Sequence, residues 1–166
     1  MRIALGIVVP VAAALLQAAV GGSIGVAGAY PNLPALAAGS WAVATGAREA
    51  LWWGFVGGLA FDLLSGGPLG AFTVALLPAV LLAGMGERSS AQPIPVIAGA
   101  VSVGVGALIA QALYLAILSF LGRSVGPAPA VVAGTVGVAL YTGALALVVY
   151  PLARMGRRLT EKESPF

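Results

Sequence analysis

Uncharged stretches dominate this 166-residue chain and limit what it can fold into. Residues 3–47 carry no charge, residues 50–86 carry only Asp62, and residues 89–153 carry only Arg123. A helix that crosses a bilayer of about 30 Å needs about 20 apolar residues, so each stretch can hold two such helices. Turn-forming residues near the middle of each stretch mark the points where the chain reverses.

These turns predict six helices and an all-α polytopic membrane protein with six transmembrane spans. Helices two and three are short for a bilayer, so we expect tilting, local thinning or a partly re-entrant path there. The predicted helices cover about residues 3–21, 31–47, 50–64, 70–86, 94–121 and 130–153.

The composition agrees with lipid as the main solvent and excludes several kinds of chemistry. Hydrophobic residues make up 60% of the chain and charged residues 8%, against about 25% charged in soluble domains. The absence of Cys and His removes thiol catalysis, disulfides and the usual zinc sites. A lone Asp62 cannot form an aspartyl dyad, and no phosphate-binding loop is present. We therefore expect no enzyme activity, no cofactor, no metal and no nucleic-acid partner.

The basic residues predict the orientation of the helices. Cytoplasmic loops are enriched in Lys and Arg, and seven of the eight basic residues fall on one side of the predicted spans. Both termini are therefore expected in the cytoplasm, with 1–153 as one transmembrane domain and 154–166 as a basic cytoplasmic tail near anionic lipid. The seven residues are Arg2, Arg48, Arg88, Arg154, Arg157, Arg158 and Lys162.

An alternative interpretation makes the first 25 or so residues a cleaved signal peptide, because small residues occur at Ala27 to Ala29. The apolar run is longer than a usual signal core. Cleavage would also leave five spans and break the pairing of charged intervals. We therefore prefer the six-helix interpretation.

Helix three carries the most informative motif. Gly54, Gly58 and Asp62 are spaced by four and share one helical face, which indicates close packing against another helix. The helix rises roughly 20 Å between Glu49 and Asp62, so the carboxylate should lie within the membrane and need a partner. Arg123 is the only basic residue on the same side, which suggests that Asp62 and Arg123 pair, or that both hydrogen-bond across the outer loops. Alternatively, Arg123 anchors to lipid phosphate.

Other polar and aromatic side chains have simpler expected roles. Gln17 and Gln111 are expected to bridge helices rather than bind a solute. Four aromatic residues are expected in the interfacial belts of the membrane. They are Tyr30, Trp41, Trp52 and Trp53.

Three segments resemble the MreD family of bacterial rod shape-determining membrane proteins. They are P-N-L at 31–33, G-F-V-G-G-L-A-F-D-L-L-S-G at 54–66 and P-L-G at 68–70. The motif match covers about 40 residues, and Asn32 departs from it because the family often has Asp there. The resemblance implies fold-defining or partner-contacting roles for the matching positions. With Arg123 added, the candidate residues are Pro31, Asn32, Gly54, Gly58, Asp62, Gly66, Pro68, Gly70 and Arg123.

The resemblance also implies a function. Such a protein would be a non-enzymatic scaffold of the cell elongation machinery for peptidoglycan in the bacterial cytoplasmic membrane. It would bind the transmembrane helix and membrane-proximal region of MreC, and help couple MreB filaments to RodA and its class B penicillin-binding transpeptidase. The family is also similar in architecture to the substrate-binding subunits of energy-coupling-factor vitamin transporters.

That similarity leaves a second function open, a small-solute binding subunit of a membrane transporter. It would need a polar pocket that opens outward. The residues that could line such a pocket are Asn32, Asp62, Gln111, Tyr114 and Arg123.

Overall fold

Six α-helices form the computed structural model of the chain. The structure describes residues 2–20, 23, 25, 29–85 and 94–162, with the backbone alone at residues 2, 3, 20 and 159–162. The six predicted helices are confirmed, and all ends except that of the last lie within three residues of the prediction. The helices are α1 (Arg2–Val20), α2 (Leu33–Thr45), α3 (Ala47–Ser65), α4 (Ala71–Met85), α5 (Val96–Phe120) and α6 (Ala128–Lys162).

The short helix α2 forms the centre of the bundle. It packs against all five other helices, and ten of its thirteen residues are buried. Thirteen residues rise only about 20 Å, so the prediction that this helix is short for a bilayer is confirmed. Helix α3, in contrast, has 19 residues rather than the 15 predicted, because it begins at Ala47 and includes Arg48 and Glu49. Glu49 lies in the first turn, where a negative charge favours the helix dipole.

The other five helices surround α2 in the order α1, α3, α4, α5, α6, each packing against the next. Glycines allow the closest approaches: a Cβ on Gly84 of α4 would lie 2.5 Å from the backbone N of Ala47. Between α5 and α6, a Cβ on Gly104 would lie 3.1 Å from the carbonyl oxygen of Ala139. The ring does not close, because α1 and α6 make little contact with each other. We call this opening the α1–α6 seam.

The outward faces of the long helices suit a lipid environment. Val96–Phe120 and Ala128–Arg158 are long and apolar enough to cross a membrane, yet only 28% and 22% of their apolar windows are buried. A core helix of a soluble protein with this composition would be mostly buried. Three shorter apolar helices accompany them, at Ala4–Ala19, Leu33–Thr45 and Ala71–Met85.

One end of the bundle carries the described arginines of the chain apart from Arg123, and we call it the basic end. The guanidinium of Arg157 on α6 donates a hydrogen bond to the carbonyl oxygen of Ala44, near the last residue of α2. Arg154 lies over the ring of Tyr150, and α3 begins nearby with Arg48. Helix α6 continues to Lys162, so the described part of the predicted tail extends the same helix.

Two of the four expected interfacial aromatic residues lie inside the bundle instead. Trp41 and Trp53 are buried, and their rings stack with centroids 4.4 Å apart and planes 5° from parallel. Trp52 and Tyr30 are exposed as expected. Because Trp53 continues the buried face of α3 while Trp52 points outward, two adjacent tryptophans have opposite environments.

Several predicted features lie outside the described residues. They include the turn at Gly21-Gly22, the first part of the small-residue segment at 27–29, and Arg88 with its neighbour Glu87. The side chains of Arg2 and Lys162 are also outside the described set.

Candidate functional site

Asp62 is a buried carboxylate near the end of α3, with 2% of its surface exposed. Its Oδ1 accepts a hydrogen bond from the backbone N–H of Phe72 at 3.0 Å. Its Oδ2 accepts bonds from the N–H of Gly70 at 3.1 Å, the N–H of Thr73 at 3.0 Å and the Thr73 hydroxyl at 2.7 Å. All four partners are donors, so this environment fits the charged carboxylate.

The Asp62 carboxylate caps the start of α4. The first N–H groups of a helix have no acceptor within that helix, and a negative charge at this position is stabilised by the helix dipole. At α4, the N–H of Ala71 bonds to the carbonyl oxygen of Pro68 at 3.1 Å, and Asp62 accepts from the next two N–H groups. The N–H of Val74 then begins the regular helical pattern by bonding to Gly70 at 2.8 Å. The start of α4 is therefore fully hydrogen-bonded inside the protein.

Two glycines allow the loop between α3 and α4 to reach this cap. Gly66 ends α3 in the left-handed conformation with φ of 65°, and Gly70 has φ of 86° immediately before α4. Residues with a Cβ rarely adopt such angles. The motif positions Gly66 and Gly70 thus shape a loop whose last N–H, that of Gly70, donates to Asp62. The carbonyl oxygen of Pro68 in this loop accepts the N–H of Ala71.

The glycine face of α3 packs against α4. A Cβ on Gly58 would lie 2.8 Å from the Cα of Thr73, and a Cβ on Gly54 would lie 3.2 Å from the side chain of Val80. The close packing predicted from the four-residue spacing is present between these two helices. This face is therefore occupied within the chain and is not a free surface for a partner helix.

Asn32 plays the corresponding role for α2. Its Oδ1 accepts from the N–H of Ala35 at 3.1 Å, and its own N–H donates to the hydroxyl of Thr142 on α6 at 2.9 Å. Gln17 of α1 accepts from the N–H of Leu33 at 2.8 Å, which confirms that this amide bridges two helices. Asn and Asp are both good N-cap residues, so the substitution at this motif position preserves the cap.

Pro31 is also buried, next to this cap.

A small cavity lies between the two caps, at what we call the capped end. Its volume is about 210 Å³, and Gln111 and Tyr114 line it together with Asn32, as the solute-binding alternative predicted. Asp62 and Arg123 do not line it. The full lining is Gln17, Tyr30, Pro31, Asn32, Phe61, Phe72, Gln111, Tyr114 and Val138.

Arg123 is exposed in the loop between α5 and α6. Its backbone N–H donates to the carbonyl oxygen of Leu118 at 3.0 Å, and Gly122 before it has φ of 73°. The pairing of Asp62 with Arg123 suggested by the sequence is not seen, since the four hydrogen bonds to the carboxylate come from the start of α4. Arg123 remains a surface residue of the capped end.

Sequence reasoning missed two of the polar partners in this region. Thr73 is the one polar residue of α4, and Thr142 lies in the apolar part of α6. Their hydroxyls complete the hydrogen bonding at Asp62 and Asn32. The position of Thr73, three residues after Gly70, was a usable signal, because polar residues concentrate in the first turn of a helix. Thr142 had no such local signal, as its partner is 110 residues away.

Comparison with known proteins gives one match. No curated protein and no solved structure matches the chain significantly. The family model described as rod shape-determining protein MreD matches residues 1–155, which cover the bundle and both caps. The chain therefore belongs to the MreD family of rod shape-determining proteins.

Proposed function

We propose that this protein is a non-enzymatic scaffold of the bacterial cell elongation machinery, located in the cytoplasmic membrane. In this role it binds MreC and helps couple MreB filaments to RodA and its class B penicillin-binding transpeptidase. Membership of the MreD family, which is known for shape determination rather than catalysis, is the observation that carries the proposal.

The orientation proposed for the scaffold has six spans with both termini in the cytoplasm. Arg48 and Arg157 lie at the basic end, and Arg123 lies in a loop beyond the opposite end of α5. Basic residues accumulate on the cytoplasmic side of membrane proteins. The basic end is accordingly the cytoplasmic side, and the capped end faces outward.

The capped end is the proposed docking surface for the membrane-proximal region of MreC. Asp62 and its hydrogen bonds hold the α3–α4 loop in one conformation, so the loops at this end form a defined surface. Phe120, at the end of α5, is 91% exposed, and the neighbouring Leu121 and Arg123 are exposed too. Phe and Arg are both enriched at protein interfaces, and Arg is among the residues that most often dominate their binding energy. The Gly54–Gly58 face, already packed on α4, is excluded as the docking surface.

A solute-binding subunit is the second candidate, since the cavity at the capped end contains three of the residues predicted for it. A solute-binding subunit has to enclose its whole ligand, and the cavity volume of about 210 Å³ is below the roughly 300–1,000 Å³ of pockets that do so. Its amides also have structural tasks, since Gln17 and Asn32 both accept bonds from the start of α2. These two facts favour the scaffold.

Copurification with MreC in detergent tests the proposal. The wild-type protein is expected to retain MreC through size exclusion, and the double variant Phe120→Ala/Arg123→Ala is expected to lose at least about tenfold in affinity. Leu140→Ala, an exposed position on α6, serves as the matched control and should bind normally. Undiminished binding by the double variant would refute the docking surface. A folded wild-type protein that retains a small solute and no MreC would refute the scaffold and support transport.

A further inference from the structure

The α1–α6 seam contains a second cavity, near the basic end. Its volume is about 250 Å³. Helix α2 forms its floor, with the stacked Trp41 and Trp53 on one side. Its lining is almost entirely apolar: Leu5, Val9, Ala37, Ser40, Trp41, Trp53, Val149, Leu152, Ala153 and Gly156.

Two polar atoms in this lining have no hydrogen-bond partner among the described residues. They are the hydroxyl oxygen of Ser40, which is fully buried, and the indole nitrogen of Trp41, which is 7% exposed. A buried donor without an acceptor is costly, and indole N–H groups usually find a partner when buried. Asn32, Gln17 and Asp62 at the capped end, in contrast, are hydrogen-bonded inside the protein. The unpartnered pair therefore points to an occupant that supplies an acceptor.

Water does not fit this description well. A buried water needs two to four polar partners, and an apolar cavity of this size stays dry. Apart from the indole nitrogen of Trp53, which is not one of the unpartnered atoms, only Ser40 and Trp41 offer polar side-chain atoms here. The occupant must be mostly apolar, with one acceptor that reaches both side chains.

The surroundings of this cavity identify the chemical class of its occupant. The cavity lies where α1 and α6 make little contact, so an apolar chain can enter it sideways. One helical turn after Ser40, roughly 6 Å along α2, Arg157 binds the carbonyl oxygen of Ala44. Among the residues whose side chains are described, four arginines (Arg48, Arg154, Arg157 and Arg158) and one glutamate (Glu49) lie at this end. A positive surface of this kind attracts anionic headgroups.

We propose that the seam binds an anionic glycerophospholipid. One acyl chain lies in the cavity between α1 and α6, and an ester carbonyl accepts hydrogen bonds from the Trp41 N–H and the Ser40 hydroxyl. The headgroup lies toward the basic end. The lipid thereby closes the ring of helices around α2, and the site is independent of MreC binding at the capped end.

Tryptophan quenching by brominated phosphatidylglycerol tests the site in the full-length protein in nanodiscs. The chain has three tryptophans, and Trp52→Phe removes the exposed one, leaving Trp41 and Trp53 as reporters. In this background Ala153→Leu fills the cavity, whereas Ala144→Leu adds the same volume on an exposed face of α6. We expect strong quenching with Ala144→Leu and weak quenching with Ala153→Leu. Brominated phosphatidylcholine should need a higher mole fraction for the same quenching.

Ser40→Ala keeps the test independent of whether Ala153→Leu folds. Losing one hydrogen bond should raise the lipid fraction for half-maximal quenching about fivefold. In lipid-free detergent, where the hydroxyl has no acceptor, the thermal stability should be equal to that of the wild type or higher. Equal quenching in the Ala144→Leu and Ala153→Leu proteins would overturn the proposal, as would a Ser40→Ala variant that binds lipid normally. The lipid proposal would also be overturned if the fluorescence of Trp41 and Trp53 were not quenched by brominated lipid and changed only on addition of MreC or on self-association. The seam would then bind a protein partner.

Discussion

Replacing Asp62 by Ala should destabilise the protein strongly, because the carboxylate holds the start of α4. The change removes the acceptor of four hydrogen bonds, three of them to backbone N–H groups. The Gly70 N–H is partly accessible and the Thr73 hydroxyl can rotate to another acceptor, which leaves the N–H groups of Phe72 and Thr73 buried without one. At about 1–3 kcal/mol for each unsatisfied group, plus the lost charge–dipole interaction, the cost is about 3–5 kcal/mol.

Such a loss is large against a total stability of about 5–15 kcal/mol. For a chain of this size it corresponds to a fall in the unfolding temperature of roughly 6–20 °C. Thermal unfolding in one detergent, followed by intrinsic fluorescence and by the monodisperse fraction in size exclusion, measures it. Asp62→Asn keeps the shape and one acceptor oxygen and should fall between wild type and Asp62→Ala.

Two further variants make the reasoning refutable. Thr73→Val removes only one of the four bonds, at 2.7 Å, and should cost about 1–2 kcal/mol. Arg123→Ala should leave the unfolding temperature unchanged, because the four bonds to Asp62 come from elsewhere. If Asp62→Ala were no less stable than Thr73→Val, the capping argument would be refuted. If Arg123→Ala matched Asp62→Ala, a pairing between these residues would be required after all.

The same melting assay checks three other positions. Gly58→Ala should cost about 1–3 kcal/mol, because the new Cβ would lie 2.8 Å from the Cα of Thr73 and force α3 from α4. Gly134→Ala should instead stabilise α6 by about 0.5–1 kcal/mol, because a Cβ there meets nothing within 4 Å. If Gly58→Ala and Gly134→Ala had similar unfolding temperatures, the close approach of α3 and α4 at Gly58 would be contradicted. Thr142→Val should cost about 1–3 kcal/mol by leaving the buried N–H of Asn32 without its acceptor, and an unchanged melt would contradict that assignment.

Much of the helix pattern was predictable because lipid imposes it. Among the described residues the charges lie toward helix ends or in the loop before α6, so the spacing of Arg48, Glu49 and Arg123 located the helices closely. The end of α6 was missed, since a basic segment beyond residue 153 is compatible with either a helix or a tail. The four-residue spacing of glycines also predicted a close-packed face, because backbone approach in membranes depends on small residues.

The partners of those faces were not predictable. The spacing of Gly58 and Asp62 predicts that another helix packs closely on this face of α3. Which helix does so depends on the tertiary arrangement, and the structure shows that it is α4. The central place of α2 depends in the same way on contacts with all five other helices. For Trp41 and Trp53, the general preference of tryptophan for interfaces was outweighed by stacking inside the bundle.

The placement of satisfied and unsatisfied polar atoms separates structural from functional roles in this bundle. In a membrane an unpaired polar group has no water to bond, so each buried one is either bonded by the protein or awaits a ligand. Asp62 and Asn32 belong to the first kind, because their side chains accept hydrogen bonds from the first N–H groups of α4 and α2. Ser40 and Trp41 belong to the second, because the protein offers them no acceptor among the described residues. The motif residues Asn32 and Asp62 therefore mark the frame, and Ser40 and Trp41, which lie outside those motif segments, mark the proposed lipid site.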